Sequence, residues 1–269
     1  MRLAECLLPL LARPESGAVI ALVGAGGKTS ALFGLAQELG GGPTGVLITT
    51  TTHIYDPRRE QGRGYDRLAL APALLEPPGS AWDPGPDGPA PGRRLVLAAR
   101  ELPETGKLQG IHPLRVAELR RHWAFVLVEA DGAKRRPVKA PAAHEPVLPP
   151  AADLVLGVIG LDCLGRPMDE GCVHRPGPFG AVTGCAPGAP IGLEHLAALS
   201  RAPGGLFKGV PASARRVLLL NQADRCALAP ADLLRGLLAA GPVGAGLILV
   251  CALADPRPGA RVLAQTQPQ

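Results

Sequence analysis

The 269-residue sequence predicts an α/β fold in which an open, mostly parallel sheet lies between two layers of helices. Short apolar runs rich in leucine and β-branched residues are typical of strands covered on both faces. Segments with apolar residues at helical spacing lie between several of these runs. The predicted strands cover 18–23, 46–48, 95–98, 125–128, 154–159, 217–220 and 247–250, and the predicted helices 28–39, 114–121, 193–200 and 230–239. In such sheets a ligand binds at the carboxyl ends of the strands.

Length and composition favour a single domain over residues 1–269. The chain is 46% hydrophobic but only 3% aromatic, so its core is built from aliphatic side chains. Proline and glycine are concentrated between about 56 and 92, where we expect an irregular and partly mobile excursion. The N-terminal residues predict a helix, because Glu5 and a short apolar stretch do not suit a secretion signal. No run approaches the roughly 18–20 apolar residues of a membrane span, so we expect a cytoplasmic protein without a membrane partner.

Cysteine spacing and charge exclude several other classes of function. The six cysteines form no CxxC pair and no Cys/His ligand spacing, which argues against a zinc site and a disulfide framework. We expect buried, reduced thiols; a reactive thiol among Cys163, Cys172 and Cys185 stays open. The net charge of +5 is not gathered with aromatic residues, so nucleic acid is not expected as a partner.

The connection between the first predicted strand and the first predicted helix has the composition of a phosphate-binding loop. Glycine backbone there turns N–H groups toward an anion, the helix N-terminus adds favourable partial charge, Lys28 adds a full charge, and the Thr29 hydroxyl suits Mg²⁺. Leu22 stands where a standard Walker A loop begins with glycine, and Thr29 stands at the third glycine of a coenzyme-binding GxGxxG. A purely structural glycine turn is the alternative. The predicted loop consists of Gly24, Ala25, Gly26, Gly27, Lys28, Thr29 and Ser30.

The second strand runs into four threonines, Thr49 to Thr52, followed by His53. Hydroxyls at this strand end are placed for a metal or a terminal phosphate, although threonine also simply favours strands. A nicotinamide-binding protein would carry an acidic residue here for the ribose hydroxyls. The threonines therefore count against a dehydrogenase.

The fourth strand ends in Glu129 and Asp131, and a basic loop over 133–139 follows directly. Carboxylates after an apolar strand are what Mg²⁺ coordination and water positioning require in P-loop enzymes. The basic loop is placed to hold anionic oxygens of a nucleotide or a substrate. A solvent-facing acidic turn and a solvated basic surface are the alternatives.

The sixth and seventh strands lead into Asn221-Gln222-Ala223-Asp224 and Cys251-Ala252-Leu253. These segments resemble the guanine-reading Asn/Thr-Lys-x-Asp and Ser-Ala elements of GTPases, in the same order and at strand ends. Gln222 replaces the lysine of that pattern and Cys251 the serine. We therefore expect Mg²⁺ with ATP or GTP, with a slight preference for guanine, read by Asn221 and Asp224.

Lysine is rare in this chain, since only five of the 28 basic residues are lysine. Because nearly all of the basic residues are arginine, the presence of a lysine suggests that an ammonium group is required at that position. The alternative is that these lysines occur by chance despite the bias toward arginine. The five are Lys28, Lys107, Lys134, Lys139 and Lys208.

Together, the segments VGAGGKTS, ITTTTHIYDP, VEADGAKRRPVKAPAAHEPVLP, GVIGLDCLG, HRPGPF, GGLFKG and VLLLNQAD resemble the YqeC family. The resemblance covers about 18–224. It implies a cytoplasmic, P-loop NTPase-like accessory protein that matures selenium-dependent molybdenum hydroxylases, with a nucleoside triphosphate and a hydroxylase or molybdenum-cofactor protein as partners. Hydrolysis, or phosphoryl or nucleotidyl transfer, is one expected activity. A nucleotide-gated chaperone with little turnover is the alternative.

Carried onto this sequence, the resemblance implies three groups of site residues. Lys28, Glu129 and Asp131 would be catalytic, with Thr29, Glu129 and Asp131 at the metal. Thr51 and His53 would face the terminal phosphate. Six residues between proline-rich turns are expected to bind the substrate or partner: Lys134, Lys139, His144, Glu145, His174 and Arg175.

Overall fold

The computed structural model describes residues 1–12, 17–41, 44–60, 64–79, 83, 85, 88–253 and 261–267. The strands are β1 (Ala18–Gly24), β2 (Val46–Thr50), β3 (His53–Tyr55), β4 (Arg67–Leu70), β5 (Arg94–Ala98), β6 (Arg100–Leu102), β7 (Lys107–Gln109), β8 (Phe125–Glu129), β9 (Val138–Lys139), β10 (Leu154–Gly160), β11 (Val173–His174), β12 (Arg215–Asn221), β13 (Leu247–Ala252) and β14 (Arg261–Thr266). The helices are α1 (Leu3–Leu7), α2 (Lys28–Leu39), α3 (Val116–Leu119), α4 (Pro176–Thr183), α5 (Leu193–Arg201) and α6 (Pro230–Ala239).

The main sheet of the described residues has nine strands in the order β14-β13-β12-β10-β1-β8-β2-β5-β4. Its strands pair in parallel, except that β14 runs antiparallel to β13. The central strand β1 joins β10 on one side and β8 on the other. The carboxyl ends of β1, β8 and β2 therefore meet at one edge, where the predicted loop and carboxylates follow.

Alternate residues of β1 enter two separate hydrophobic cores. Val19, Ala21 and Val23 pack on one face of the sheet with the apolar sides of α3, α4, α5 and α6. Ile20 and Leu22 pack on the opposite face with α1 and α2. Helices thus cover both faces, which confirms the predicted three-layer α/β/α architecture and explains why the central strands read as continuous apolar runs.

All seven predicted strands lie in the main sheet. The sequence patterns missed the edge strand β4, which lies inside the stretch from 56 to 92, because its residues are partly or fully exposed and show no apolar run. The predicted helix 114–121 is shorter in the structure, where a 3-10 turn (Pro113–Arg115) leads into α3. Helix α4 was also missed, since its sequence PGPFGAVT has two prolines and two glycines and buries only Phe179.

Beside the main sheet, the described residues form two smaller sheets. β3, β7 and β6 form a three-stranded antiparallel sheet, and β9 pairs with β11 in parallel. No helix in the described part of the chain has the length and apolar character of a membrane span.

The cysteine thiols are free, and five of the six are buried. Burial raises the pKa values of Cys163, Cys172 and Cys185, the three thiols left open as reactive. Because the thiolate is the reactive form, these cysteines are poor nucleophiles at neutral pH.

Candidate functional site

A cavity of about 1090 Å³ opens at the carboxyl ends of β1, β2 and β8. The glycine-rich loop and the start of α2 form its floor, and the basic loop after β8 and the sheet of β3, β7 and β6 contribute to its walls. Thirteen of the residues predicted for the site line it. These are Gly26, Gly27, Lys28, Thr29, Ser30, Thr51, His53, Glu129, Lys134, His144, Glu145, His174 and Arg175.

The glycines of the loop are required by backbone conformation and by close packing. Gly26 has φ 77° and Gly27 has φ 124°, values that residues with a Cβ rarely adopt. A Cβ on Gly26 would lie 2.2 Å from the amide nitrogen of Gly160, and one on Gly27 would lie 2.2 Å from Asn221 Nδ2. The loop therefore keeps its shape because neighbouring strands press against it from behind.

The backbone N–H groups of this connection divide into two sets. Those of Ala25 and Gly26 donate to the carbonyls of Val158 (2.9 Å) and Arg136 (3.0 Å) and fasten the loop to the protein. In the described part of the chain, the N–H groups from Gly27 to Ser30 have no acceptor. Gly27 is the N-cap residue of α2 and has no side chain that could cap the helix. An uncapped N-terminus facing a cavity suits an anion.

Lys28 lines the cavity but is only 4% exposed. Its ammonium donates to the Gly24 carbonyl (2.6 Å) and lies 3.1 Å from Asp131 Oδ1. That oxygen has no well-aligned hydrogen-bond donor, so the contact is an ion pair by distance rather than a directed hydrogen bond. Burial alone lowers the pKa of Lys28, but the negative charges of Asp131 and Glu129 outweigh burial and raise it. Lys28 is therefore a cation at neutral pH.

Thr29 and Glu129 join the start of α2 to the end of β8. The Thr29 hydroxyl donates to Glu129 Oε2 at 2.9 Å, and both side chains line the cavity. No cluster of three or more His, Cys, Asp or Glu suited to a metal occurs among the described residues. Mg²⁺ needs no such cluster, because it is held by one or two protein oxygens together with phosphates and water. Thr29, Glu129 and the free amides of α2 thus fit Mg²⁺ with a phosphate chain.

Asp131 was predicted at the metal, but it is 2% exposed and does not line the cavity. Its carboxylate accepts from the Gly24 N–H (3.0 Å) and lies between the ammonium groups of Lys28 and Lys139. Lys139 also donates to Glu145 Oε2 at 2.7 Å, and Glu145 accepts from Arg175. We call this series the buried ion chain: Lys28, Asp131, Lys139, Glu145 and Arg175.

The buried ion chain connects the phosphate loop to the far side of the cavity. Burial alone raises the pKa of Glu145, but its hydrogen bonds from Lys139 and Arg175 dominate and lower it to about 2. Burial, with the nearby charges of Arg175 and Lys139, lowers the pKa of His174 to about 4. At neutral pH Glu145 is an anion and His174 is a neutral base that lines the cavity.

The threonine row fastens the end of β2 to its neighbours. The hydroxyls of Thr49, Thr50 and Thr51 donate to the carbonyls of Leu97, Glu129 and Val147, respectively. Thr51 and His53 nevertheless line the cavity. Burial and the charge of Lys107 lower the pKa of His53.

The predicted base-reading residues are not brought together at the cavity surface. Asn221 is buried behind the loop, where its Nδ2 donates to the Gly26 carbonyl (2.8 Å) and its Oδ1 accepts from the Leu253 N–H (3.0 Å). Asp224 is exposed and is not among the lining residues. Gln222, one of the departures from the GTPase pattern, does line the cavity. Asn221 therefore supports the shape of the loop in this structure.

Sequence reasoning missed the cavity wall formed by Tyr55, Arg59 and Lys107, because these residues lie in or beside short strands with no apolar pattern. The rarity of lysine was the one signal available. Three of the five lysines line the cavity, and Lys139 belongs to the buried ion chain. Lys208 donates to the carbonyls of residues 142 and 143, beside the lining residue His144.

Comparisons with known proteins identify relatives of this chain. A family model described as "YqeC protein" matches residues 20–177. A protein of Escherichia coli (strain K12), described as "Uncharacterized protein YqeC", is 38% identical over 224 residues, covering 81% of this chain and 82% of the relative. No solved structure matches the chain. The family match contains β2, β8 and all but the first two residues of β1, with the loops that follow them. The chain belongs to the YqeC family.

Proposed function

We propose that the cavity binds a magnesium nucleoside triphosphate, with ATP or GTP as the ligand. The observation that carries this proposal is the contact between Thr29 and Glu129 directly beside the free N–H groups of α2. Hydroxyl and carboxylate oxygens suit a hard cation, and unpaired amides at a helix N-terminus suit phosphate. One cavity therefore offers both chemistries side by side.

Each polar group at the floor of the cavity has a role in this proposal. The N–H groups from Gly27 to Ser30 and the Lys28 ammonium hold phosphate oxygens, and Thr29 with Glu129 holds Mg²⁺. Bound Mg²⁺ supplies charge neutralisation for the phosphates. Asp131 keeps Lys28 charged and correctly placed, which makes it a positioning residue in this arrangement.

Two neutral histidines give the cavity a means of accepting a proton. His53 and His174 both line it, and the pKa of each is lowered, His174 to about 4. An imidazole that stays unprotonated at neutral pH is available as a general base toward water or an acceptor hydroxyl. A general base is most effective when its pKa lies near the operating pH, so His174, with a pKa of about 4, is a weak base, and we assign the role of general base to His53.

The cellular role that we propose follows from family membership and from the resemblance described above. The chain would be a cytoplasmic accessory protein in the maturation of selenium-dependent molybdenum hydroxylases, acting with a hydroxylase or a molybdenum-cofactor protein. The alternative is a nucleotide-gated chaperone with little turnover. Phosphate release during incubation with purified hydroxylase apoenzyme separates the two: sustained release supports the enzyme, and nucleotide-dependent binding without release supports the chaperone.

The nucleotide proposal is tested by Thr29→Val, which keeps the shape of the side chain and removes the hydroxyl. We expect Mg²⁺ to tighten ATP or GTP binding to the natural chain and to Thr29→Ser, but to do so at least tenfold less for Thr29→Val. The same substitution at the exposed turn residue Thr105 is the matched control. Equal Mg²⁺ dependence in Thr29→Val and Thr105→Val would remove Thr29 from the metal site. Failure of both nucleotides to bind the natural chain would overturn the proposal.

A further inference from the structure

One face of the small sheet of β3, β7 and β6 forms a polar wall of the cavity. Ile54 and Leu108 are buried in the hydrophobic core on its other face. Because side chains alternate along a strand, their neighbours point the opposite way. Those neighbours are His53, Tyr55, Lys107 and Gln109, and all four line the cavity.

The basic loop after β8 closes over this wall. The Arg135 guanidinium lies 4.6 Å from the centroid of the Tyr55 ring, and the Lys107 ammonium lies 5.0 Å from it. Lys134 and Arg135 have φ values of 45° and 60°. Two consecutive left-handed residues other than glycine are uncommon, and such strain is concentrated at ligand-binding sites. The loop is thus held in a conformation that places the Arg135 guanidinium on the wall.

Positive charge exceeds negative charge around the cavity, and much of it is unpaired. Seven lysine or arginine residues and three glutamates line it. Each glutamate has a partner: Glu129 accepts from Thr29, Glu145 pairs with Lys139 and Arg175, and Glu60 pairs with Arg135. Within the described part of the chain, four of the lining cations have no ion pair. One of them, Arg136, donates to the Gly171 carbonyl, and the other three are Arg59, Lys107 and Lys134.

These three cations come from separate elements but border one space. A Cβ on Gly106 would lie 2.9 Å from Arg59 Nη1, so the Arg59 guanidinium lies beside the residue that precedes Lys107. Lys134 precedes Arg135, whose guanidinium packs on the same Tyr55 ring as Lys107. Bringing unpaired like charges together is unfavourable unless an anion joins them.

We propose that Arg59, Lys107 and Lys134 form a second anion subsite, separate from the phosphate loop, for a small oxyanion with at least two negative charges, such as a phosphate ester. Arginine offers a planar fork that matches such oxyanions, and lysine offers a mobile point charge. The inference rests on the proposed function in one respect, since it assigns the class of the second substrate beside the nucleotide.

The test uses inorganic pyrophosphate as the probe and measures its stoichiometry and affinity by calorimetry. We expect two equivalents on the natural chain, and one after saturation with Mg²⁺ and a non-hydrolysable ATP or GTP analogue. The variant Arg59→Gln/Lys107→Gln should lose the remaining equivalent, or bind it at least about tenfold more weakly, because each lost charge-assisted hydrogen bond is worth about that factor. Arg121→Gln, an exposed charge that does not line the cavity, is the control.

Retention of the second equivalent by the double variant would overturn the subsite, and so would equal losses in the double variant and in Arg121→Gln. The subsite would also be overturned if the natural chain and the double variant each bound one equivalent of pyrophosphate. If the natural chain binds one equivalent of pyrophosphate and the double variant binds none, the result supports the subsite and counts against the phosphate loop. The failure of one proposal is thereby distinguished from the failure of the other. If the double variant does not fold, Lys134→Gln at an exposed position gives the same readout.

Discussion

Replacing Lys139 by methionine should remove the cation that two buried carboxylates share, leaving Asp131 with Lys28 and Glu145 with Arg175. Lys139 is 1% exposed, and its ammonium lies 3.0 Å from Asp131 Oδ2 and 2.7 Å from Glu145 Oε2. The two oxygens are therefore no more than about 5.7 Å apart, since both contact the same nitrogen. Methionine is similar in length and apolar, so the substitution removes the charge without opening a large cavity.

The size of the effect follows from that distance. Two negative charges about 5.7 Å apart repel each other by roughly 3 kcal/mol at an effective dielectric constant of about 20. Removing one partner of a buried ion pair costs about 3–5 kcal/mol in general, so we expect a loss of this size in the free energy of unfolding. At about 2 °C per kcal/mol for a chain of this length, the melting temperature should fall by roughly 6–10 °C.

Urea unfolding at pH 7, with the midpoint and slope fitted separately, measures this loss. Lys134→Met is the matched control, because Lys134 is exposed and nearby in sequence, and it should change the free energy of unfolding by no more than about 0.5 kcal/mol. A loss below about 1 kcal/mol for Lys139→Met, the value of an exposed pair, would refute the reasoning that the ion chain is desolvated.

Two further predictions test the same framework. The Glu145 pKa of about 2 lies below its ordinary value of 4.5, so this group adds about 3 kcal/mol of stability that is complete above pH 4.5 and lost as pH falls through 2. In Glu145→Gln the free energy of unfolding should lack this fall between pH 4.5 and 2. The same pH dependence in the variant and the natural chain would contradict the prediction. Asn221→Ala should lower the free energy of unfolding by about 1–3 kcal/mol, because the Gly26 carbonyl and the Leu253 N–H lose their hydrogen-bond partner. It should also weaken nucleotide binding. A destabilised variant with unaltered nucleotide affinity would limit Asn221 to a structural role.

Strong local patterns made the central fold predictable. The strands that are buried on both faces have continuous apolar sequences, and α2 has one apolar side. The alternation of such strands with helices therefore indicated a sheet between two layers of helices. The loop from Gly24 to Ser30 and the carboxylate Glu129 were predictable for the same reason. Parallel strands place their carboxyl ends at one edge, which brings residues a hundred positions apart into contact.

The cavity wall was beyond the reach of sequence patterns. β3 and β7 have three residues each, too few to show a period, and only their pairing turns Tyr55 and Lys107 toward the cavity. Likewise, no spacing shows that Asp131 lies behind Lys28 rather than at the cavity surface, because its position depends on contacts from Gly24 and Lys139.

The sequence by itself determined the layered α/β fold, the glycine loop and the polar residues that follow β1, β2 and β8, because each depends on neighbours along one segment. Only the tertiary structure decided which of those residues line the cavity and which pair with one another. It buried Asp131, Lys139 and Glu145 in an ion chain and, among the residues that the structure describes, left Arg59, Lys107 and Lys134 in the cavity without an ion pair. The physical reason is that charge pairing and desolvation depend on distances across the fold, which local sequence does not specify.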